Sequence, residues 1–282
     1  YATAYALWVL AQVEQAGYAV PAEALKRAGD YLYHQLEPKP DADGSSPEIL
    51  PFAPGDPLDS MRAAIALHAL SQLHRTAPVA MERLYRDRSQ LPMFARAFLL
   101  LAMHRTAPSD PKVAALTEEL LGNLAEQQGT AQVVERISYS LDSLFHSDAR
   151  SDAIVLLALL EVRADHPIIP KLVRGLLDRR PGAAWRNTQE NAYALFALAQ
   201  YSQRFESQPP ALVTQAWMGQ RSLFSVKLMA SEESPHPAAS VDVPIAQLLL
   251  PQAQAKGAGQ DAVPIILQRT GSGRMPRIEH AA

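Results

Sequence analysis

Five eleven-residue stretches of this chain align without gaps, and nothing else in it restricts the fold as tightly. They are Thr3–Val13 (TAYALWVLAQV), Ala63–Leu73 (AAIALHALSQL), Arg96–Thr106 (RAFLLLAMHRT), Asp152–Val162 (DAIVLLALLEV) and Asn191–Tyr201 (NAYALFALAQY). The second position is always Ala (Ala4, Ala64, Ala97, Ala153, Ala192) and the fifth always Leu (Leu7, Leu67, Leu100, Leu156, Leu195). The eighth is Leu10, Leu70, Met103, Leu159 or Leu198. Residues three apart share a helix face, so these three positions form one recurrent packing surface. Most other positions in the stretches are apolar too, which predicts helices buried on nearly all sides. Internal self-similarity of this kind marks an architecture built by repetition.

Between these inner helices lie amphipathic stretches suited to an outer layer: Ala22–Leu36, Val79–Leu91, Lys112–Leu124 and Ile168–Arg180. In the last, Leu172, Val173, Leu176 and Leu177 oppose Lys171, Arg174, Asp178 and Arg179. Punctuation agrees with the division. Gly17 closes the first inner helix and Pro21 starts the next element. Asp110-Pro111 and Pro167 open later outer helices, and Asn187 or Thr188 caps the last inner helix with help from Glu190. Alternating inner and outer helices joined by short turns either close into an (α/α) toroid or stay open as a solenoid. Pro38–Pro57 reads as one long loop, and Gly129–Tyr139 as a short strand or hairpin insertion.

After Phe205 the helical period is lost. Ala211–Gly219, Ser222–Met229 and Ala262–Gln268 read as short strands separated by Pro, Ser and Gly. The expected boundary lies at Glu206–Pro210, giving a helical domain over 1–205 and a β segment over 206–282. Roughly seventy residues of β structure is marginal as a whole domain, so the segment is expected to be part of a larger sandwich. The overall class is therefore mainly α, followed by a partial β-sandwich.

Composition excludes several function classes. A net charge of −3 gives no electrostatic reason for a nucleic-acid or anionic-membrane partner. The longest apolar runs, such as Ala153–Leu160, are too short to span a bilayer. With no Cys in the chain there is no disulfide, no thiolate metal site and no thiol nucleophile. Tyr1-Ala2-Thr3-Ala4 already reads as the inside of a helix, without a signal-like opening, so the chain is expected to be a stretch of a longer protein.

Few residues invite a chemical reading. His146 is followed by Asp148 and Asp152, but no nucleophile stands nearby, and Ser147 or Asp148 suits a helix cap. His68 and His74 are six apart, the wrong spacing for a metal pair on a helix. Asp41, Asp43 and Gly44 resemble the opening of a calcium loop but lack its later ligands. Gly271-Ser272-Gly273 lacks the context of a phosphate cradle. Trp8 and Trp185 read as core, and Arg179-Arg180 as cations at a helix C-terminus that need no partner. No catalytic, cofactor-binding or metal site is assigned, and no cofactor is expected.

The ordered series resembles the thioester domain of alpha-2-macroglobulins and complement components, most closely the large bacterial members. The matching stretches are Thr3–Pro21, Ser143–Ala153 (SLFHSDARSDA), Asp165–Leu177 (DHPIIPKLVRGLL) and Trp185–Tyr201 (WRNTQENAYALFALAQY). With the helices between them they cover residues 1–205. The resemblance implies a closed (α/α) toroid inserted into a β-sandwich of the CUB type, to which the strands after Phe205 return.

It also implies a function, broad-range inhibition of endopeptidases by trapping. The family's Cys-x-x-Gln thioester would lie in a helical hairpin upstream of Tyr1, so no residue here inherits the nucleophile's role and the chain alone is expected to be inert. Some relatives carry an ester-assisting His in a loop matching Pro47–Leu58, which has none here, so amine targets are implied. The tail Met275–Ala282 departs from the family's aromatic-rich strand, as a truncation or frameshift would make it. Periplasmic or cell-surface location and endopeptidase partners follow from the resemblance alone. The competing readings are a toroid enzyme of terpenoid cyclase or prenyltransferase type, whose Asp-x-Asp-Asp or zinc signature is missing, and a non-catalytic helical scaffold.

Overall fold

The computed structural model describes residues 1–37, 57–135, 147–206, 211–218, 220–229, 242, 244 and 265–272. The loop expected over Pro38–Pro57 lies almost wholly outside them. Five inner helices form in register with the repeat: α1 (Ala2–Gln15), α3 (Pro57–Ser71), α5 (Met93–Thr106), α7 (Asp148–Val162) and α9 (Thr188–Phe205). Four outer helices alternate with them: α2 (Ala22–Leu36), α4 (Pro78–Arg86), α6 (Pro111–Gly122) and α8 (Ile169–Asp178). Helix α3 packs between α1 and α5, and α5 packs on α7. The outer helices bridge these pairs: α2 across α1 and α3, α4 across α3 and α5, α6 across α5 and α7. Helix α9 closes the ring through its rings, Tyr193 stacking on Trp8 of α1 at 4.9 Å between centroids. The architecture is an (α/α) toroid.

Burial on nearly all sides holds for three of the inner helices. Every residue of α7 from Ala149 to Leu160 is buried, as are all of α5 from Met93 to Met103 except Arg96 and all of α3 from Ala63 to Ser71. It does not hold for α1 and α9. The repeat's fifth position is at most 1% exposed at Leu7, Leu67, Leu100 and Leu156, but Leu195 is 60% exposed. Ala2, Ala6 and Val13 of α1 are likewise open to solvent. The reason is positional: among the described residues no outer helix bridges α9 and α1, so a sequence position that is core elsewhere in the ring becomes surface there.

The helix ends follow their local chemistry. Gly17, at φ +87°, ends α1 in a Schellman motif: its N–H donates to the Glu14 carbonyl at 2.9 Å and that of Tyr18 to Val13 at 3.2 Å. His74, at φ +54°, does the same after α3, donating to Ser71 at 3.1 Å while Arg75 donates to Leu70 at 3.2 Å. Asp110 caps α6 ahead of Pro111, Ser147 caps α7, and Asn187 accepts from the Glu190 N–H at 2.9 Å to start α9. Glu190 reaches back to the Arg186 N–H at 2.9 Å, a near-capping box. Two expectations differ in detail. Pro170, not Pro167, sits in the first turn of α8. The outer stretch Val79–Leu91 breaks at Asp87 into α4 and a 3-10 turn over Arg88–Gln90; Arg88 there pairs with Glu119 at 2.6 Å and covers the Tyr85 ring at 4.2 Å.

A hairpin, β1 (Leu124–Gln127) and β2 (Thr130–Val133), is inserted between α6 and α7. It begins earlier than expected because Gln128 and Gly129, at φ +48° and +81°, make the two-residue turn. From residue 136 the expected stretch lies outside the described residues. Hairpin and α8 meet closely at Gly175, where an added Cβ would stand 2.1 Å from the Ala131 carbonyl oxygen.

The chain divides into two compact units, Tyr1–Gln200 and Tyr201–Ala282. In the second, β3 (Ala211–Met218) lies between β4 (Arg221–Met229) and β5 (Ile265–Ser272) in an antiparallel sheet. Alternate residues Leu212, Thr214, Ala216 and Met218 are buried, the period-2 signature of a one-sided sheet. Strand β5 runs to Ser272, past the expected Gln268, while 262–264 of the expected strand lie outside the described residues; β5 carries Gly271, at φ +121°, against the Ala211 carbonyl. Gly271 and Ser272 thus belong to a strand; Gly273 is outside the described residues.

Candidate functional site

The toroid's lumen is filled by rings rather than lined by them. Tyr193 stacks on Trp8 and meets Phe98 edge-on at 6.0 Å, while Phe196 stands on Trp8 at 5.3 Å. Phe98 contacts His68 at 5.0 Å and Phe94 at 6.4 Å. Each such pair adds about 0.5–1.5 kcal/mol beyond area burial, so this plug ties four of the five inner helices together. Trp8 and Trp185, at 6% exposure, are core as read from sequence; the Trp185 indole donates to the Leu176 carbonyl at 3.2 Å.

At the C-terminal ends of the inner helices the plug leaves a small recess open to solvent. Trp8, His68, Phe98 and Tyr193 wall it, with Arg105 and Glu161 beside them. The last two form a two-pronged ion pair at 2.7 and 2.7 Å. His68 is fully enclosed, its Nδ1 has no hydrogen-bond partner, and burial with the nearby Arg105 charge holds its pKa well below the ordinary value. No serine, threonine or cysteine stands in the wall, and burial holds the one hydroxyl there, that of Tyr193, above its ordinary pKa, so it is a poor nucleophile for acyl transfer.

Outside the walls of this recess stands a residue the sequence did not single out. Arg150, in the first turn of α7, is wholly buried. Its guanidinium lies over the rings of Phe94 at 4.9 Å and Tyr193 at 5.2 Å and is shared with the hydroxyls of Tyr1 and Tyr193. Burial raises the pKa of the Tyr1 and Tyr193 hydroxyls, and the Arg150 charge pulls in the other direction. The Tyr1 hydroxyl donates to Gln189 Oε1 at 2.8 Å.

Asp152 is a structural pin. Its Oδ1 accepts from the Val133 N–H at 2.7 Å and its Oδ2 from Arg179 Nε at 2.5 Å. Burial raises its pKa to about 6 against the opposing pull of Arg179. Arg179, read from sequence as needing no partner, also reaches Gln132 Oε1 at 3.0 Å and Asp148 Oδ2 at 3.3 Å. The reading failed because these partners come from the hairpin and from α7, far away in sequence. Arg180 covers the Trp185 ring at 5.8 Å.

His146, Asp41, Asp43 and Gly44 lie outside the described residues, and His74 serves the turn after α3. Among the described residues no three His, Cys, Asp or Glu side chains group as a metal site, and no helix is long and apolar enough to cross a membrane. For Arg150 the one available signal was a charge two places before an apolar eleven-residue repeat.

Comparison with known proteins gives the fold a context. No family model matches the chain. Salmonella alpha-2-macroglobulin reacted with methylamine superposes on 80% of the chain with a TM-score of 0.56 at 18% identity. Trypsin-activated alpha-2-macroglobulin from Escherichia coli does so over 80% with a TM-score of 0.52 at 20% identity. At these identities the likeness shows a shared fold. The chain spans 13% and 14% of those two proteins' lengths. A Dictyostelium discoideum protein described as circularly permutated Ras protein 2 is 33% identical over 75 residues, 27% of this chain and 2% of that protein.

Proposed function

We propose that this chain is the greater part of the helical domain of an alpha-2-macroglobulin-like protease trap, together with the start of the β-sandwich that follows it. The observation that carries the reading is the structural likeness over four-fifths of the chain to bacterial alpha-2-macroglobulins, one of them in a trypsin-activated form. The exposure of Leu195, 60% at a repeat position that is core in the other inner helices, supports it further, since additional helices of a parent protein would cover it. In this reading residues 1–205 form the thioester-type domain and 206–282 part of the sandwich. The thioester Cys and Gln stand upstream of Tyr1, and the parent captures endopeptidases covalently or sterically from the periplasm or cell surface. The chain itself is neither an enzyme nor a trap and uses no cofactor. The toroid-enzyme alternative draws no support from a lumen whose rings pack on one another.

The test is to express the parent gene, including its sequence upstream of Tyr1, and mix the product with trypsin. Hydrolysis of a large protein substrate should fall while hydrolysis of a small chromogenic peptide persists, because a caged protease excludes only the large substrate. The present chain should change neither. Unchanged hydrolysis of the large substrate by the parent mixture, or stoichiometric inhibition by the chain alone, overturns the proposal.

A further inference from the structure

We propose that Arg179 is a clasp released by mild acid: protonation of Asp152 frees the guanidinium Nε while the hairpin keeps its place. Three elements meet at this joint. Arg179 closes α8, and its three side-chain nitrogens reach Asp152 Oδ2 at 2.5 Å, Asp148 Oδ2 at 3.3 Å and Gln132 Oε1 of β2 at 3.0 Å. Asp148 and Asp152 stand one helical turn apart on α7, so two carboxylates share one cation. They share it unequally, because the side chain of Asp152 is 1% exposed and that of Asp148 71%.

Asp152 cannot take up a proton without giving up a partner. Its Oδ1 receives the Val133 N–H and its Oδ2 the Arg179 Nε–H. A neutral carboxyl carries a hydroxyl that donates, so one of the two incoming N–H groups then faces another donor. Val133 is fixed in place. It pairs with Leu124 in the hairpin, the next amide donates to the Asn123 carbonyl at 3.0 Å, and Ala131 is seated against Gly175 of α8. Arg179 is a flexible side chain with the hydrated carboxylate of Asp148 still in reach. The side chain yields and the backbone bond stays.

The change falls in a narrow range of pH. Burial pushes Asp152 up to about 6, with Asp148 adding to the rise and Arg179 opposing it. Charges on the neighbouring elements are engaged elsewhere. Strand β2 carries no ionisable side chain, and Glu135 beyond it accepts from the Met93 N–H at 2.7 Å and the Ser151 hydroxyl at 3.3 Å. On α8, Arg174 donates to the Gly129 carbonyl at 2.7 Å and Lys171 pairs with Glu126. On α5, Arg96 reaches the carbonyls of Leu91 and Ser89, and Arg105 pairs with Glu161. On α6, Glu118 and Glu119 pair with Arg163 and Arg88. The clasp depends only on groups of the helical unit and is independent of the protease-trap reading.

The test follows the Arg179 Nε–H resonance of the isotope-labelled chain between pH 5 and 7, assigned by its loss in Arg179→Lys. It should move with a midpoint near 6, while the Val133 amide keeps its protection against hydrogen exchange. In Asp152→Asn the resonance should hold its acid position throughout. In Asp148→Asn the second acceptor and a neighbouring negative charge are both gone, so the midpoint should move down. A resonance that does not titrate overturns the proposal. So does loss of Val133 protection at the same midpoint, which would make the hairpin the part that yields, and so does an Asp148→Asn midpoint that stays or rises. If Asp152→Asn fails to fold, the wild type and Asp148→Asn, altered only at an exposed side chain, decide.

Discussion

Asp152 shows how the same residue reads differently before and after folding. In sequence it stands six places after His146 and suggests acid–base chemistry; in the fold both its oxygens are used to pin β2 and Arg179 to α7. Burial lifts its pKa to about 6, so the folded state holds the proton more tightly than the unfolded chain does. The sign follows: this group's contribution to stability is full below the unfolded carboxyl range and is lost as pH rises through about 6. Urea midpoints for wild type and Asp152→Asn between pH 4 and 7.5 should therefore show a downward slope in the wild type that the variant lacks. The difference is on the order of 2–3 kcal/mol across the window. Parallel curves would mean that Asp152 titrates normally. Neither Arg150 nor the Asp152–Arg179 pair could be found from spacing, because each depends on helices brought together across tens of residues.

Elements were far more legible, because each carries its own signal. The inner helices follow the eleven-residue period, and the caps at Gly17, Asp110, Ser147 and Asn187 follow local backbone chemistry. Asn187→Ala removes the acceptor for the Glu190 N–H and should cost about 1 kcal/mol in chemical denaturation. The hairpin was legible as an insertion but not in its extent, since its seating is decided by the groove of α8. Gly175→Ala tests that seating. Its Cβ would meet backbone, the Ala131 carbonyl, with no flexible side chain to give way. A loss of about 1–3 kcal/mol is expected, with faster hydrogen exchange at the Val133 amide, which donates to Asp152. Unchanged exchange there would show that the hairpin tolerates a wider gap.

At the scale of the whole molecule the repeat makes a promise that the ring keeps only in part. Leu156 and Leu195 hold the same position in the eleven-residue pattern, yet one is 0% and the other 60% exposed. Leu156→Ala should cost about 2–5 kcal/mol, as cavities in well-packed cores do. Leu195→Gln should stay within about 0.5 kcal/mol in this chain, as substitutions on open surface do. Equal losses at both sites would show that α9 is covered in solution. Sequence could not distinguish the two leucines, because exposure there is set by which helices stand beside α9 and not by the residue itself. The division into helical ring and strands was visible because the period changes from 3.6 to 2 after Phe205.

Tyr193 belongs to both ends of the lumen: one face of its environment is the Arg150 guanidinium, the other the cavity beside His68. A single flat side chain is thus shared between a buried charge and an open recess. A shared wall passes displacement on, so a shift of the ring that follows the guanidinium would be felt as a change of shape in the recess.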